Sequence, residues 1–390
     1  MHARLMVQRF LDRQVSLMHG SRRRLLAAVV AAVMQGHWIG LSRLGRGLAQ
    51  STSVKSAIKR VDRLIGSERI AAEAKQVGAA LLACLGRMSS TLVIAVDWSA
   101  AAPGGAFVEL RAAVTWPGAG RALPVYQQVY PLRQLGDPKA ERALLHTLRQ
   151  WMPLGVEVII VTDAGFRRPW FTQVERLGWS WVGRIRQGVS LSGDRRQWAP
   201  AASWFAKATT CARRIEHCWL ARKGALPCDV VLYRRRRQRR QQWGAQGQPT
   251  SHKAAREARL REREPWLLVH SPRLTRYRAD EIVSFYARRM QIEESFRDSK
   301  SPAFGMGFRI GRSRTAGRLQ ALLLIATLAA FMLWHIGQLA EAEGLHRRFK
   351  LTTRAAREIS IITLALLLCR DTGPPLTPAA TQALNRRLGL

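Results

Sequence analysis

Leu92-Val-Ile-Ala-Val-Asp-Trp-Ser99 is a continuous apolar run that ends on a carboxylate. Such a run, rich in β-branched side chains, suits a strand buried at the centre of a sheet. An aspartate at the tip of a core strand is costly unless it is satisfied. Asp97 is therefore either a strand-end turn or helix-cap residue, or a residue that binds something.

The pattern recurs downstream. Val156 to Thr162 is a second buried strand, ending in Asp163-Ala164-Gly165. Between the two, Phe107 to Thr115 and Leu123 to Tyr130 read as strands separated by Trp116-Pro117-Gly118, and Lys139 to Trp151 as a helix. A helix at Trp170 to Leu177 and a strand at Trp179 to Arg184 follow. Three strands, a helix, a strand, a helix and a strand make an α/β sheet of mixed direction. If the two strands with aspartate tips are parallel neighbours, Asp97 and Asp163 emerge at the same sheet edge.

Residues 188–263 interrupt this core with short strands (Arg213 to Leu220, Asp229 to Tyr233) and a very basic run, Arg234 to Arg240, that becomes Gln-rich. The run reads as a disordered loop, a DNA clamp or both. A charged stretch, Ala254 to Glu264, has helical character. Pro265 to His270 returns to a strand pattern and leads to Tyr286-Ala-Arg-Arg-Met-Gln-Ile-Glu-Glu-Ser-Phe-Arg-Asp-Ser-Lys300. This stretch lacks Gly and Pro, and Phe285, Ile292 and Phe296 recur at helical spacing, which predicts one helix. At about 100° per residue, Tyr286, Arg289, Glu293 and Lys300 fall within an arc of roughly 60° on it, while Glu294 lies about 100° round from Glu293. That face suits a grip on phosphates around a metal-binding carboxylate. It also suits a solvated surface laced with Arg289–Glu293 and Glu293–Arg297 pairs.

The flanks are helical. Residues 1–72 contain Arg22 to Met34, a short helix at Leu41 to Leu48, and a helix from Val54 to Ile65 capped by Ser51-Thr52-Ser53. Val54, Ile58, Val61 and Ile65 are expected inside, with Lys55, Lys59 and Arg63 repeating along another face. The arrangement has the form of a helix-turn-helix whose last helix meets DNA; an ordinary basic surface helix is the alternative. Beyond a Gly-containing loop, helices are expected at 318–342, 350–370 and 377–388. The apolar run Ala321 to Trp334 is shorter than the roughly 20 residues that span a bilayer and reads as a buried helix.

The 390 residues carry 63 Lys plus Arg against 26 Asp plus Glu, a formal charge of +37. Self-repulsion on this scale points to a polyanionic partner, nucleic acid before an anionic membrane. With 47% hydrophobic residues and 13 Trp, the chain is a folded basic protein and not a disordered tail. Five Cys without a CxxC pair and scattered His speak against a structural zinc site and suit a reducing cytoplasm. Three carboxylates remain, Asp97, Asp163 and Glu293. Hard oxygen ligands of this kind select Mg²⁺ or Mn²⁺, and two such ions about 4 Å apart support phosphoryl transfer.

Asp97-Trp98-Ser99, Thr162-Asp163-Ala164-Gly165-Phe166 and the Tyr-x2-Arg-x3-Glu-x6-Lys signature at Tyr286, Arg289, Glu293 and Lys300 resemble the cut-and-paste DDE transposases of insertion-sequence family four. The segments beginning at Arg289 and Ser56 are most similar to the transposon Tn-ten branch. The likeness runs from about residue 22 to 345.

The resemblance implies a ribonuclease-H-like mixed-sheet core with Asp97, Asp163 and Glu293 as ligands of two Mg²⁺ (or Mn²⁺) ions. It implies nicking at the inverted-repeat ends, hairpin formation and opening, and strand transfer into target DNA by a homodimer on paired ends. Arg289 and Lys300 are then expected on DNA phosphates with Tyr286 in support, and Trp266 in the position that takes a flipped base, although core packing accounts for it equally. One related branch has a second Trp where this chain has Met290. Arg297 joins the expected DNA contacts, and a bacterial cytoplasmic protein on the nucleoid is expected.

The domains read as 1–72, helical and DNA-binding; 73–187, the first part of the core; 188–263, a basic β-rich insertion; 264–312, the second part with the catalytic helix; and 313–390, a helical region suited to dimerisation. A structure-specific nuclease of the same core, or a catalytically silent DNA-binding repressor, are the rival functions.

Overall fold

The computed structural model describes residues 3–49, 52–101, 105–235, 264–302, 305–308, 311, 313–353, 356–370 and 376–390. Packing divides the mixed α/β chain into two compact units, Met1–Val158 with Arg288–Leu390, and Ile159–Ala287.

The N-terminal segment forms α1 (Ala3–Gln14), α2 (Gly20–Met34), α3 (Leu41–Gly47), α4 (Val54–Ile65) and α5 (Arg69–Gly86). Ser53 caps α4, its hydroxyl accepting from the Ser56 amide at 3.2 Å. Ala57, Val61, Leu64 and Ile65 make the buried face of α4. Val54, expected inside, stands at the first helical position and is 46% exposed. A Cβ on Gly45 would lie 2.4 Å from Ile58 Cγ1 and 2.7 Å from its Cα, so glycine lets α3 close directly on α4. Lys55, Lys59 and Arg63 are exposed along α4. The boundary expected at 72/73 falls inside α5.

The sheet begins with β1 (Thr91–Ala100), β2 (Phe107–Thr115) and β3 (Leu123–Pro131), followed by α6 (Pro138–Trp151) and β4 (Glu157–Thr162). The first three strands are antiparallel in sequence order, with Ala95 opposite Ala113, Asp97 opposite Arg111 and Ser99 opposite Glu109. Directly opposed residues, and residues two apart along a strand, share a face. These six side chains therefore line one face of β1 and β2.

The second unit contains α7 (Arg168–Arg176), β5 (Ser180–Ile185), β6 (Ser190–Ser192), β7 (Ala199–Pro200), β8 (Arg213–Leu220), β9 (Leu226–Tyr233), β10 (Trp266–His270) and α8 (Ala279–Ala287). Through α7, β4 connects to a parallel β5. Antiparallel β10 lies between β5 and β9, and β8, β6 and β7 extend the sheet beyond β9. The sequence between β5 and β10 thus adds strands to the sheet itself. Residues 236–263, with most of the basic run and the expected helix at 254–264, lie outside the described residues.

The chain then re-enters the first unit with α9 (Met290–Lys300), α10 (Ala316–Ala342), α11 (Ile361–Arg370) and α12 (Pro378–Leu388). The single helix expected over 286–300 is two, because Arg288 and Arg289 form a tight turn. There the Gln291 and Ile292 amides bond three residues back, to Arg288 and Arg289 carbonyls. Tyr286 consequently belongs to α8, and only Arg289, Glu293 and Lys300 keep the expected relation. The helix expected over 350–370 is confined to its second half. Glu358 takes the Leu351 and Thr352 amides at 2.9 and 3.1 Å, a closure that folds the segment back where a helix would carry residues seven apart about 10 Å from each other.

The core of the first unit is built round α10, which touches α2, α4, α5, β3, α11 and α12. Its 27 residues are long and apolar enough to cross a membrane, but 94% of the most apolar window is buried within the fold. Gln320 docks it on the outer edge of β3, accepting from the Val129 amide at 2.9 Å and donating to the Gln127 carbonyl at 2.7 Å.

Candidate DNA-cleaving site

In the first unit, α9 lies over the face of β1 and β2 that carries Asp97. Small Ala95 and Ala113 leave room for Ile292 and Phe296, which form a buried cluster with them and Ala122. This packing sets the height of the helix above the strands. Its start is pinned by Gln291, whose amide nitrogen donates to the Trp116 carbonyl at 2.7 Å while its oxygen accepts from the Trp116 amide at 3.1 Å.

Glu293 and Asp97 consequently face the same open cleft of about 590 Å³, lined also by Trp98, Ser99, Arg297 and Lys300. Between the carboxylates sits the Arg289 guanidinium, 3.3 Å from Asp97 Oδ2 and 2.6 Å from Glu293 Oε1. Asp97 also accepts from the Trp98 amide at 2.8 Å. The Asp97 and Arg289 side chains are 17% and 12% exposed, whereas Glu293 is 45% exposed. The pair therefore opens towards solvent on the Glu293 side.

Two further carboxyls stand close by. Burial pushes Glu141 up to about 7, although the Trp98 indole N–H donates to it at 3.3 Å. Asp298, on the rear of α9, is pushed up to about 6 by burial despite the Arg121 guanidinium at 2.6 Å.

Residues 119–332, more than half of the chain, match the family model described as the transposase DDE domain. The chain belongs to that family. It is thus a DNA transposase, a DNA-binding enzyme that cuts its substrate with the help of divalent metal. Among solved structures, the piggyBac transposase synaptic complex with hairpin DNA is similar at 10% identity and a TM-score of 0.38, over 99% of this chain and 82% of that one. None of the curated proteins matches.

The matched residues of this transposase include Asp163 and Glu293; Asp97 precedes them. Asp163 follows β4 in the second unit, as its sequence context predicts, and its side chain accepts from the Gly165 amide at 2.8 Å. Among the described residues no three His, Cys, Asp or Glu side chains gather as a metal-binding group. Asp97 and Glu293 nonetheless fit a hard cation. Both are oxygen donors, they share one cleft, and a positive group already bridges them.

The other expected site residues divide between the units. Lys300 is at the cleft but only 5% exposed. Its ammonium meets Glu109 Oε1 at 3.0 Å and Ser99 Oγ at 2.7 Å, so here it faces inward. Arg297 is largely exposed and pairs with Glu294. In the second unit Trp266 is half-buried. The Tyr286 ring meets it edge-on at 4.9 Å, Tyr233 at 6.0 Å, and Arg235 lies 5.9 Å from its centroid.

The sequence reading passed over Trp98 and Ser99 as cleft residues and missed Glu109 and Arg111 altogether. A signal for the last two exists: in Phe-Val-Glu-Leu-Arg-Ala-Ala-Val-Thr, two charges occupy alternate positions of an otherwise apolar strand. Alternate positions share a face, and charges there demand partners.

Proposed function

We propose that this transposase binds the inverted-repeat ends of an insertion sequence, excises it through hairpin ends and joins it to target DNA. It would do so as a homodimer on paired ends, in the manner of insertion-sequence family four and its transposon Tn-ten branch. The reading is carried by the convergence of Asp97 and Glu293 on one cationic group in an open cleft.

Asp97, Glu293 and Asp163 are assigned to hold two Mg²⁺ (or Mn²⁺) ions. When bound, such ions favour deprotonation of water or a 3′-hydroxyl and stabilise the departing oxygen. Arg289 exchanges its carboxylates for a DNA phosphate, a partner its planar fork fits equally well. Arg297, Lys300 and Tyr286 support the backbone, Trp266 stacks on an extruded base, and Lys55, Lys59 and Arg63 grip the end DNA through α4. Water attacks the scissile phosphorus and the P–O3′ bond breaks, leaving a 3′-hydroxyl and a 5′-phosphate. That hydroxyl attacks the opposite strand, closing a hairpin and displacing the flanking 3′-hydroxyl. A second water opens the hairpin, and the regenerated 3′-hydroxyl attacks a target phosphorus, breaking its P–O3′ bond and releasing a target 3′-hydroxyl.

Purified protein incubated with end DNA, target plasmid and Mg²⁺ distinguishes the alternatives. Hairpins and insertions are expected; cut fragments alone would indicate a nuclease, and binding without cleavage a repressor.

A further inference from the structure

Behind the open cleft lies a second polar cluster, closed to solvent. Glu109 and Arg111, two apart on β2, are both 0% exposed. Glu109 Oε2 lies 3.2 Å from Arg111 Nη2, and its Oε1 takes the Lys300 ammonium at 3.0 Å. Arg111 donates onward to two serines one turn apart on α9, Ser295 Oγ at 2.9 Å and Ser299 Oγ at 3.3 Å. With its amide oxygen turned towards Arg111, Gln127 accepts from Nε at 3.0 Å and Nη2 at 2.7 Å. The Phe296 ring is shared by both cations, 4.1 Å from the Arg111 guanidinium carbon and 4.4 Å from Lys300 Nζ.

The register makes this cluster informative. Arg111 lies opposite Asp97 and Glu109 opposite Ser99, the residue that also holds Lys300. The strand pair bearing Asp97 is therefore cross-braced to the helix bearing Glu293 at Ser295, Ser299 and Lys300. Apolar packing by Ile292 and Phe296 sets the height of α9 but leaves sliding and rotation weakly specified, because dispersion contacts are not directional. Hydrogen bonds to a planar guanidinium specify both.

We propose that Glu109 and Arg111 are positioning residues for strand cleavage, fixing α9 in the register that holds Glu293 against Asp97 and keeping the Lys300 ammonium at the cleft floor. This rests on the assignment of Asp97 and Glu293 as the groups that carry out cleavage. Neither Glu109 nor Arg111 touches substrate. Each acts through α9, as supporting partners of metal-site ligands do elsewhere.

The experiment compares full-length wild type, Glu293→Gln, Glu109→Gln and the uncharged double variant Ser295→Ala/Ser299→Ala. Four quantities are read: melting temperature, end-DNA binding in EDTA, Mn²⁺ binding by electron paramagnetic resonance, and nicking across a Mg²⁺ titration. For Glu109→Gln, Mn²⁺ affinity and nicking rate are expected to fall by about 10- to 100-fold, with binding in EDTA unchanged. The serine variant, which keeps every buried charge, is expected to shift the same quantities in the same direction by a smaller factor. In a Lys300→Met background, Glu109→Gln is expected to cost less than alone, because the two act as a pair.

A wild-type Mn²⁺ affinity and nicking rate in both Glu109→Gln and the serine variant would overturn the proposal. So would losses that merely follow the fraction of protein folded. Should Glu109→Gln fail to fold, the serine variant decides alone. Wild type that does not nick, or Glu293→Gln that still does, would instead overturn the underlying assignment and this proposal with it.

Discussion

Two groups of charges meet at α9. The front group, Asp97, Arg289 and Glu293, opens to a cleft; the rear pair, Glu109 and Arg111, is sealed, and Lys300 joins the two from the cleft floor. Both contain carboxylates and cations at ion-pair distance, yet they have different physical standing. At the front, solvent reaches Glu293, weakening its pair with Arg289 and compensating it when that partner leaves. At the rear, no water replaces a lost partner, so the arrangement stays whole or fails. The molecule thus separates a set of charges able to change partners from a set that holds its frame.

The contrast is tested most severely by the carboxylates assigned to metal. Asp163→Asn or Glu293→Gln should lower nicking by about 10³-fold or more, the scale for losing a group at the reacting atoms, with end binding in EDTA retained. Loss of both together in a gel-shift and cleavage assay would erase the distinction between chemistry and grip. Stability should divide in the same way. Arg111→Ala leaves Glu109 with Lys300 as its remaining cation and takes the buried donor from Ser295 and Ser299, and should cost about 3–5 kcal/mol in denaturant unfolding. Arg289→Ala, with one of its two partners open to solvent, should cost less, about 1–2 kcal/mol. Equal costs would show that the rear cluster is not sealed.

His335 of α10 provides a third case, a buried ionisable group with no hydrogen-bond partner on either ring nitrogen among the described residues. Burial, helped by Arg387, pushes it down to about 3. The unfolded chain therefore binds a proton there near pH 6.5 that the folded chain refuses. The stabilising contribution is complete above pH 6.5 and is lost as pH falls towards 3, at about 1.4 kcal/mol per pH unit. His335→Leu should flatten that limb of a stability–pH curve; an unchanged slope would assign the acid sensitivity elsewhere. The smallest expected effect is at the front: Arg289→Ala should reduce the slope of log K against log salt for end DNA by about one phosphate contact.

Much of this was legible in the sequence, and what was not shares a cause. Apolar runs placed Asp163 just past β4 and Asp97 on β1, because strand burial is written locally in the order of residues, but β1 does not end at Asp97: its pairing with β2 carries it on to Ala100. The break between α8 and α9 was invisible, since nothing at Arg288–Arg289 disfavours a helix; Gln291 bonds there to Trp116, 175 residues away. The inward turn of Lys300 likewise depends on Glu109, and the period of a helix cannot show that a lysine has a buried acid waiting. Residues 350–360 read as helix because a side chain taking backbone amides leaves no periodic trace.

Gln320 has a consequence for assembly. Its carboxamide occupies a free amide and a free carbonyl on the outer margin of β3, the groups another polypeptide would need to extend the sheet there. Strand addition is thereby blocked at that point of β3.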